Sequence, residues 1–150
     1  MTQALYGDGT GWHNLVASYD GTSLRYYING SQVGNTIAYV GSGIQVLNGW
    51  SNYARAIADY IDDVRIWSRD LSDSDVADLF AAGAEARTLT DGLVASYWLD
   101  SETPTIFSTT GTVVYDVDGD HAYTQFNSAE MESVESIDLT DEMSVSLWAK

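Results

Sequence analysis

Three carboxylates alternate along one short stretch, Asp116, Asp118 and Asp120, forming a D-x-D-x-D run. Hard oxygen donors at positions one, three and five are what a calcium ion takes from a curled loop. An EF-hand is excluded, because His121 stands sixth where the sharp turn needs glycine, and Asn127 stands twelfth in place of the bidentate glutamate. A simpler calcium loop remains open. So does the alternative that these residues only form turns and caps, as short Asp side chains commonly do. A second cluster could read a sugar. Trp50 and Tyr53 offer flat apolar faces, and Asn48 and Asn52 lie beside them as hydrogen-bonding partners. Trp50 as an ordinary sandwich aromatic is the competing reading. His13 and His121 are far apart in sequence, and each reads better as a strand-face or loop histidine than as a ligand or base. No phosphate-cradling glycine loop or Ser-His-Asp spacing accompanies them.

Short strands must position these groups. Trp12 to Tyr19 and Leu24 to Ile28 alternate with the period of a half-buried strand, joined through Asp20-Gly21-Thr22-Ser23. Asn29-Gly30 marks a type I′ hairpin, whose two central residues need positive φ. Gln32 to Tyr39 is the return strand, and Ile44 to Trp50 is a weaker one. Ala56 to Trp67 reads as one long strand. Unbroken alternation puts Asp62, Val64 and Ile66 on one face, and Ile61, Asp63, Arg65 and Trp67 on the other. One helix follows. Ser72 is its N-cap, Asp75 the acidic partner three residues on, Val76, Leu79 and Phe80 the apolar stripe at i, i+3, i+4 spacing, and Gly83 the terminator. Further strands are expected at Leu93–Leu99, Thr112–Tyr115, Ala122–Phe126 and Met143–Trp148. The pentapeptide LVASY occurs at 15–19 and again at 93–97, but its flanks differ, so two similar strands explain it better than a repeat.

Charge narrows the partners. Twenty-two acids, sixteen of them Asp, face six bases, for a net charge of −16, and the one lysine is Lys150. Such a field repels phosphate backbones and anionic membrane surfaces, and it attracts divalent cations. No apolar run reaches the length of a membrane helix, and without cysteine there are no disulfides or thiolate metal ligands. Ten Tyr, five Trp and thirteen Gly in 150 residues suit an all-β chain rich in turns.

Two groups of residues resemble one family. Trp12-His13-Asn14-Leu15-Val16, then Tyr19-Asp20-Gly21, then Leu24 to Gly30 (LRYYING) is similar to a signature of laminin-G-like domains of the concanavalin A-like lectin and glucanase superfamily. Ile61 to Trp67 (IDDVRIW), followed by Arg69-Asp70-Leu71-Ser72, resembles the end of the same domains. The second half resembles their beginning: Gly92 to Asp100 (GLVASYWLD), Asp118 to Tyr123 (DGDHAY), and Leu139 to Lys150 with its SVSLWAK strand. The halves therefore stand in permuted order. Residues 1–86 correspond to the family's C-terminal half, 87–91 to a linker within the polar run Glu85 to Asp91, and 92–150 to the N-terminal half of the same or the next domain. A window on a tandem array and a circular permutant lacking central strands both fit this order.

The resemblance implies an antiparallel jelly-roll β-sandwich with one short helix, incomplete or circularly permuted. It implies that the family's first and last strands are neighbours, with Tyr97 or Trp98 beside Val64 or Ile66. It also implies a structural Ca²⁺ held by Asp62 and by backbone carbonyls near Leu99 and Asp118–Gly119. The expected function is a non-catalytic recognition or adhesion module, extracellular or at the cell surface. Its partners would be carbohydrate, another extracellular protein or neighbouring repeats of the same chain, with no nucleic acid and no membrane insertion. A purely architectural repeat of a large adhesin is the alternative. A glycoside hydrolase of the laminarinase type is a remote one, since Glu130, Glu132 and Glu135 reproduce that branch's spacing but place Glu where its middle residue is Asp.

Overall fold

A computed structural model describes residues 11–39, 60–83, 89–97, 107–118, 121–133 and 142–150. They form a mostly antiparallel β-sheet with one short helix, the all-β architecture expected of a jelly-roll sandwich. The strands are β1 (His13–Tyr19), β2 (Ser23–Ile28), β3 (Ser31–Gln32), β4 (Ile37–Ala38), β5 (Tyr60–Trp67), β6 (Leu93–Tyr97), β7 (Phe107–Asp118), β8 (His121–Ser133) and β9 (Met143–Ala149). The helix α1 (Asp73–Ala82) lies between β5 and β6 in sequence. The hydrogen-bonded order is β3-β2-β1-β9-β5-β8-β7, with β4 also on β2 and β6 also on β5.

Local signals decide the first hairpin. Asn29 and Gly30 have φ of 50° and 78°, the two left-handed residues of a type I′ turn, and Ile28 pairs with Ser31 across it. The return strand is broken into β3 and β4, because after Val33, whose N–H still donates to the Tyr26 carbonyl, residues 34–36 leave the ladder before Ile37 rejoins it opposite Leu24. Gly30 does a second job. A Cβ placed there would lie 3.1 Å from Cβ and 3.2 Å from Cδ1 of Phe80, on α1. Gly30→Ala therefore combines left-handed strain with a clash that only a helix shift relieves. It is expected to destabilise by more than the ~1 kcal/mol that a strain-free Gly→Ala exchange can gain, read by urea denaturation.

The helix begins and ends where the sequence places it. Ser72 accepts from the Asp75 N–H, and Asp75 accepts in return from the Ser72 N–H, so both halves of the capping box form. Gly83, at φ 83° and ψ 175°, ends the helix in a region open only to glycine. Arg69 donates to Asp75 at 2.9 Å, and this bond, more than any other contact, holds the Asp75 carboxyl below its usual range.

Two apolar clusters hold the central strands. Under α1, Val16, Tyr27, Trp67, Leu71, Val76 and Leu79 pack together, with Leu89 and Leu93 beside them. Ile66, Met143 and Val145 make the second cluster, flanked by Tyr19, Ala95 and Tyr97. Every residue of β9 is buried, as expected of a strand covered on both faces. The expected junction between the first and last strands is present, since Tyr97 pairs with Val64 and Ala95 with Ile66. The two LVASY segments are β6 and most of β1. They flank the β9–β5 pair from either side, and their alanines share one cross-strand row: Ala17, Val145, Ile66, Ala95.

Candidate functional site

The site is built on an interruption in β5. Ile61 pairs with Ala149 and Asp62 with Trp148, but Arg65, not Val64, pairs with Ser146. Asp63 and Val64 therefore stand together opposite Leu147, a β-bulge, and Asp63 takes φ 49° to make it. The extra residue overturns the unbroken alternation expected for this strand. Residues directly opposite one another point to the same side of a sheet. Asp62 therefore shares a face with Trp148, Arg65 and Trp67, while Ile61 shares the other with Val64 and Ile66.

The bulge is held by charge. Arg65 Nε donates to Asp63 Oδ1 at 2.9 Å and its Nη2 reaches Oδ2 at 2.8 Å, a two-pronged pair with side chains 2% and 3% exposed. Asp62, also buried, accepts the Asp63 N–H at 2.7 Å and so fixes the backbone at the bulge. Asp63 was not among the residues singled out from sequence. Its signal was an Asp two residues before an Arg inside an apolar strand, a spacing that allows a local ion pair once alternation is broken.

Two other segments reach β5 at the same place. On the edge away from β9, Tyr60 and Ile61 pair with Gln125 and Thr124 of β8, and from Val64 onward the partner is β6, beginning at Tyr97. The exchange of partners falls on Asp62 and Asp63. The β7–β8 hairpin, which closes with Asp118 opposite His121, lies three residues along β8 from that point. Asp62 is thus brought together with the strand that leads to Leu99 and the hairpin that leads to Gly119. Leu99, Gly119 and Asp120 lie outside the described residues, as does Trp98. Asp116 and Asp118 are in β7, opposite Tyr123 and His121, in extended chain and not on a curled loop. Among the described residues, no group of three or more His, Asp or Glu is gathered as a metal cluster.

The aromatic site expected at Asn48, Trp50, Asn52 and Tyr53 lies wholly outside the described residues. Glu130 and Glu132 are on β8 opposite Thr110 and Ser108, in a strand that runs to Ser133, well past the Ala122–Phe126 expected from sequence. Its long hairpin partner, with three Thr and two Val at 109–114, was read from sequence only in part. Glu135 is outside the described residues.

A second polar network lies under the start of α1. Asp70 pairs with Arg25 and accepts from Ser18 Oγ at 2.6 Å. Tyr27 donates to Asp73 at 2.7 Å, and burial, with that bond, pushes its phenol up to about 12. These groups anchor the helix to β1 and β2, a structural task. No helix among the described residues is long and apolar enough to cross a membrane.

Residues 6–77 match the family model described as the concanavalin A-like lectin/glucanases superfamily, in its laminin-G-like form. No curated protein and no solved structure matches the chain.

Proposed function

With residues 6–77 matching the model of the concanavalin A-like lectin/glucanases superfamily, we propose that the chain is a non-catalytic recognition module of a secreted or surface protein, binding carbohydrate or protein. A structural calcium ion at Asp62 belongs to this reading. The supporting observation is the bulge at Asp62–Asp63, where buried carboxylates meet the point at which β5 changes partners. The chemistry of the donors fits the ion. A carboxylate of Asp62 and backbone carbonyls near Leu99 and 118–119 would be hard oxygen ligands, and Asp116, Asp118 and Asp120 add negative charge nearby in sequence. A bound cation would tie the first half of the chain to the second at β5 and offset part of the mutual repulsion within a −16 chain.

Thermal unfolding tests the metal. The melting temperature should rise in millimolar calcium chloride more than in sodium chloride of equal ionic strength, because screening treats the two alike. A hundredfold excess over the dissociation constant corresponds to ~2.7 kcal/mol. Asp62→Ala should abolish the calcium-specific part, and Asp78→Ala, on the exposed side of α1, should leave it. An equal response to both salts would remove calcium from the proposal. The ligand is tested on a glycan array and against laminarin. Binding without cleavage is the expected result. Cleavage that disappears in Glu130→Gln or Glu135→Gln would make the protein a hydrolase, and failure to bind any glycan or protein would favour the architectural repeat.

A further inference from the structure

β1 and β5 belong to the first half of the chain, yet they do not pair with each other, because β9 lies between them. Without β9, the unit made of β1 to β5 and α1 presents a slot with two inner strand edges facing each other. Seven consecutive pairs on the β1 side and five on the β5 side fill that slot with Met143–Ala149. The side chains are read as well as the backbone. Ser144 Oγ donates to the Arg69 carbonyl and accepts the Leu71 N–H, both at 2.9 Å, and lies 2.7 Å from Ser18 Oγ. Asn14 Nδ2 donates to Ser146 Oγ at 3.0 Å. Trp148 stacks on Phe80 of α1, with ring centroids 5.9 Å apart. The slot thus selects an extended Ser-x-Ser-x-Trp strand with apolar residues between.

We infer that this slot also takes the β9 strand of a second copy, so that the chain assembles by exchanging residues 89–150 between molecules. The contacts would be identical in either arrangement, so only the connection and the concentration decide between them. The internal strand has little advantage. Asn14 and Ser146 are 132 residues apart in sequence, and closing so long a loop costs entropy that grows with its length. A tethered strand of this kind has an effective concentration in the millimolar range or below, which a second copy can match. Between Gly83 and Leu89 the connection is short, and short connections of this kind favour exchange. This inference is independent of the ligand and of calcium.

The full chain tests it. Refolded from denaturant at millimolar concentration, the protein should give dimers and longer species by light scattering. At micromolar concentration it should give monomers. The exchanged species should survive dilution for hours, because β9 leaves the slot only when the sheet opens. Monomers at both concentrations, or dimers that dissociate within minutes, would overturn the inference. Two defective chains supply a second test. Val145→Asp spoils the strand and Ile66→Asp spoils the slot, at residues directly opposite each other. Refolded together, they should yield a heterodimer with one closed sheet, and a mixture no more folded than the sum of its parts would likewise refute exchange.

Discussion

Replacing Arg65 by methionine will destabilise the protein by about 3–5 kcal/mol, the cost of stranding one charge of a buried pair. Methionine keeps most of the side-chain volume but leaves the Asp63 carboxylate facing an apolar chain, with both residues almost wholly inaccessible. The double variant Arg65→Met, Asp63→Asn should recover much of that loss. It removes the buried charge that has lost its guanidinium, and asparagine tolerates the left-handed backbone at φ 49°. Urea denaturation of the two single variants and the double variant measures the coupling. If Arg65→Met alone costs under about 1 kcal/mol, the pair behaves as an exposed one and the bulge does not depend on it.

Trp67→Ala should cost a similar ~3–5 kcal/mol, for a different reason. Trp67 is fully buried and joins residues of β1, β2, α1 and the 89–93 segment in one cluster, so its removal leaves a void between elements from both halves of the chain. Its Nε1 also donates to the Leu89 carbonyl at 3.1 Å. Trp67→Phe separates the two effects. It retains most of the packing and loses the hydrogen bond, for an expected cost of about 1–3 kcal/mol if the Leu89 carbonyl is left unpaired. Equal losses in the alanine and phenylalanine variants would show that the hydrogen bond, and not the volume, is what Trp67 contributes.

Much of this architecture could be read from the residues because local rules and tertiary demands agree. Asn29-Gly30 could make only a turn with positive φ, and Ser72 with Asp75 could only open a helix. The strands at 13–19, 23–28 and 143–149 alternate as half-buried or buried segments must. The bulge at Asp63 was not legible, because one inserted residue leaves the composition of IDDVRIW unchanged while reversing the side to which Asp62 points. Nor was the length of the 107–133 hairpin, whose Thr, Ser and Glu residues look like loop until a partner strand satisfies their backbone. The position of β9 between β1 and β5 is likewise a matter of long-range pairing, on which local pattern is silent. For the candidate site, sequence supplied Asp62 through a resemblance, and the structure added Asp63 and Arg65.

The duplicated pentapeptide makes the molecule its own control. Leu-Val-Ala-Ser-Tyr is written once in β1 and once in β6, so intrinsic strand preference is the same in both places. Yet its valine is 3% exposed as Val16, sealed beneath the helix, and 48% exposed as Val94 at the margin of the sheet. Any difference in how the two copies tolerate change comes from tertiary surroundings alone, a separation of intrinsic preference from packing that host–guest measurements in different proteins approach only by averaging.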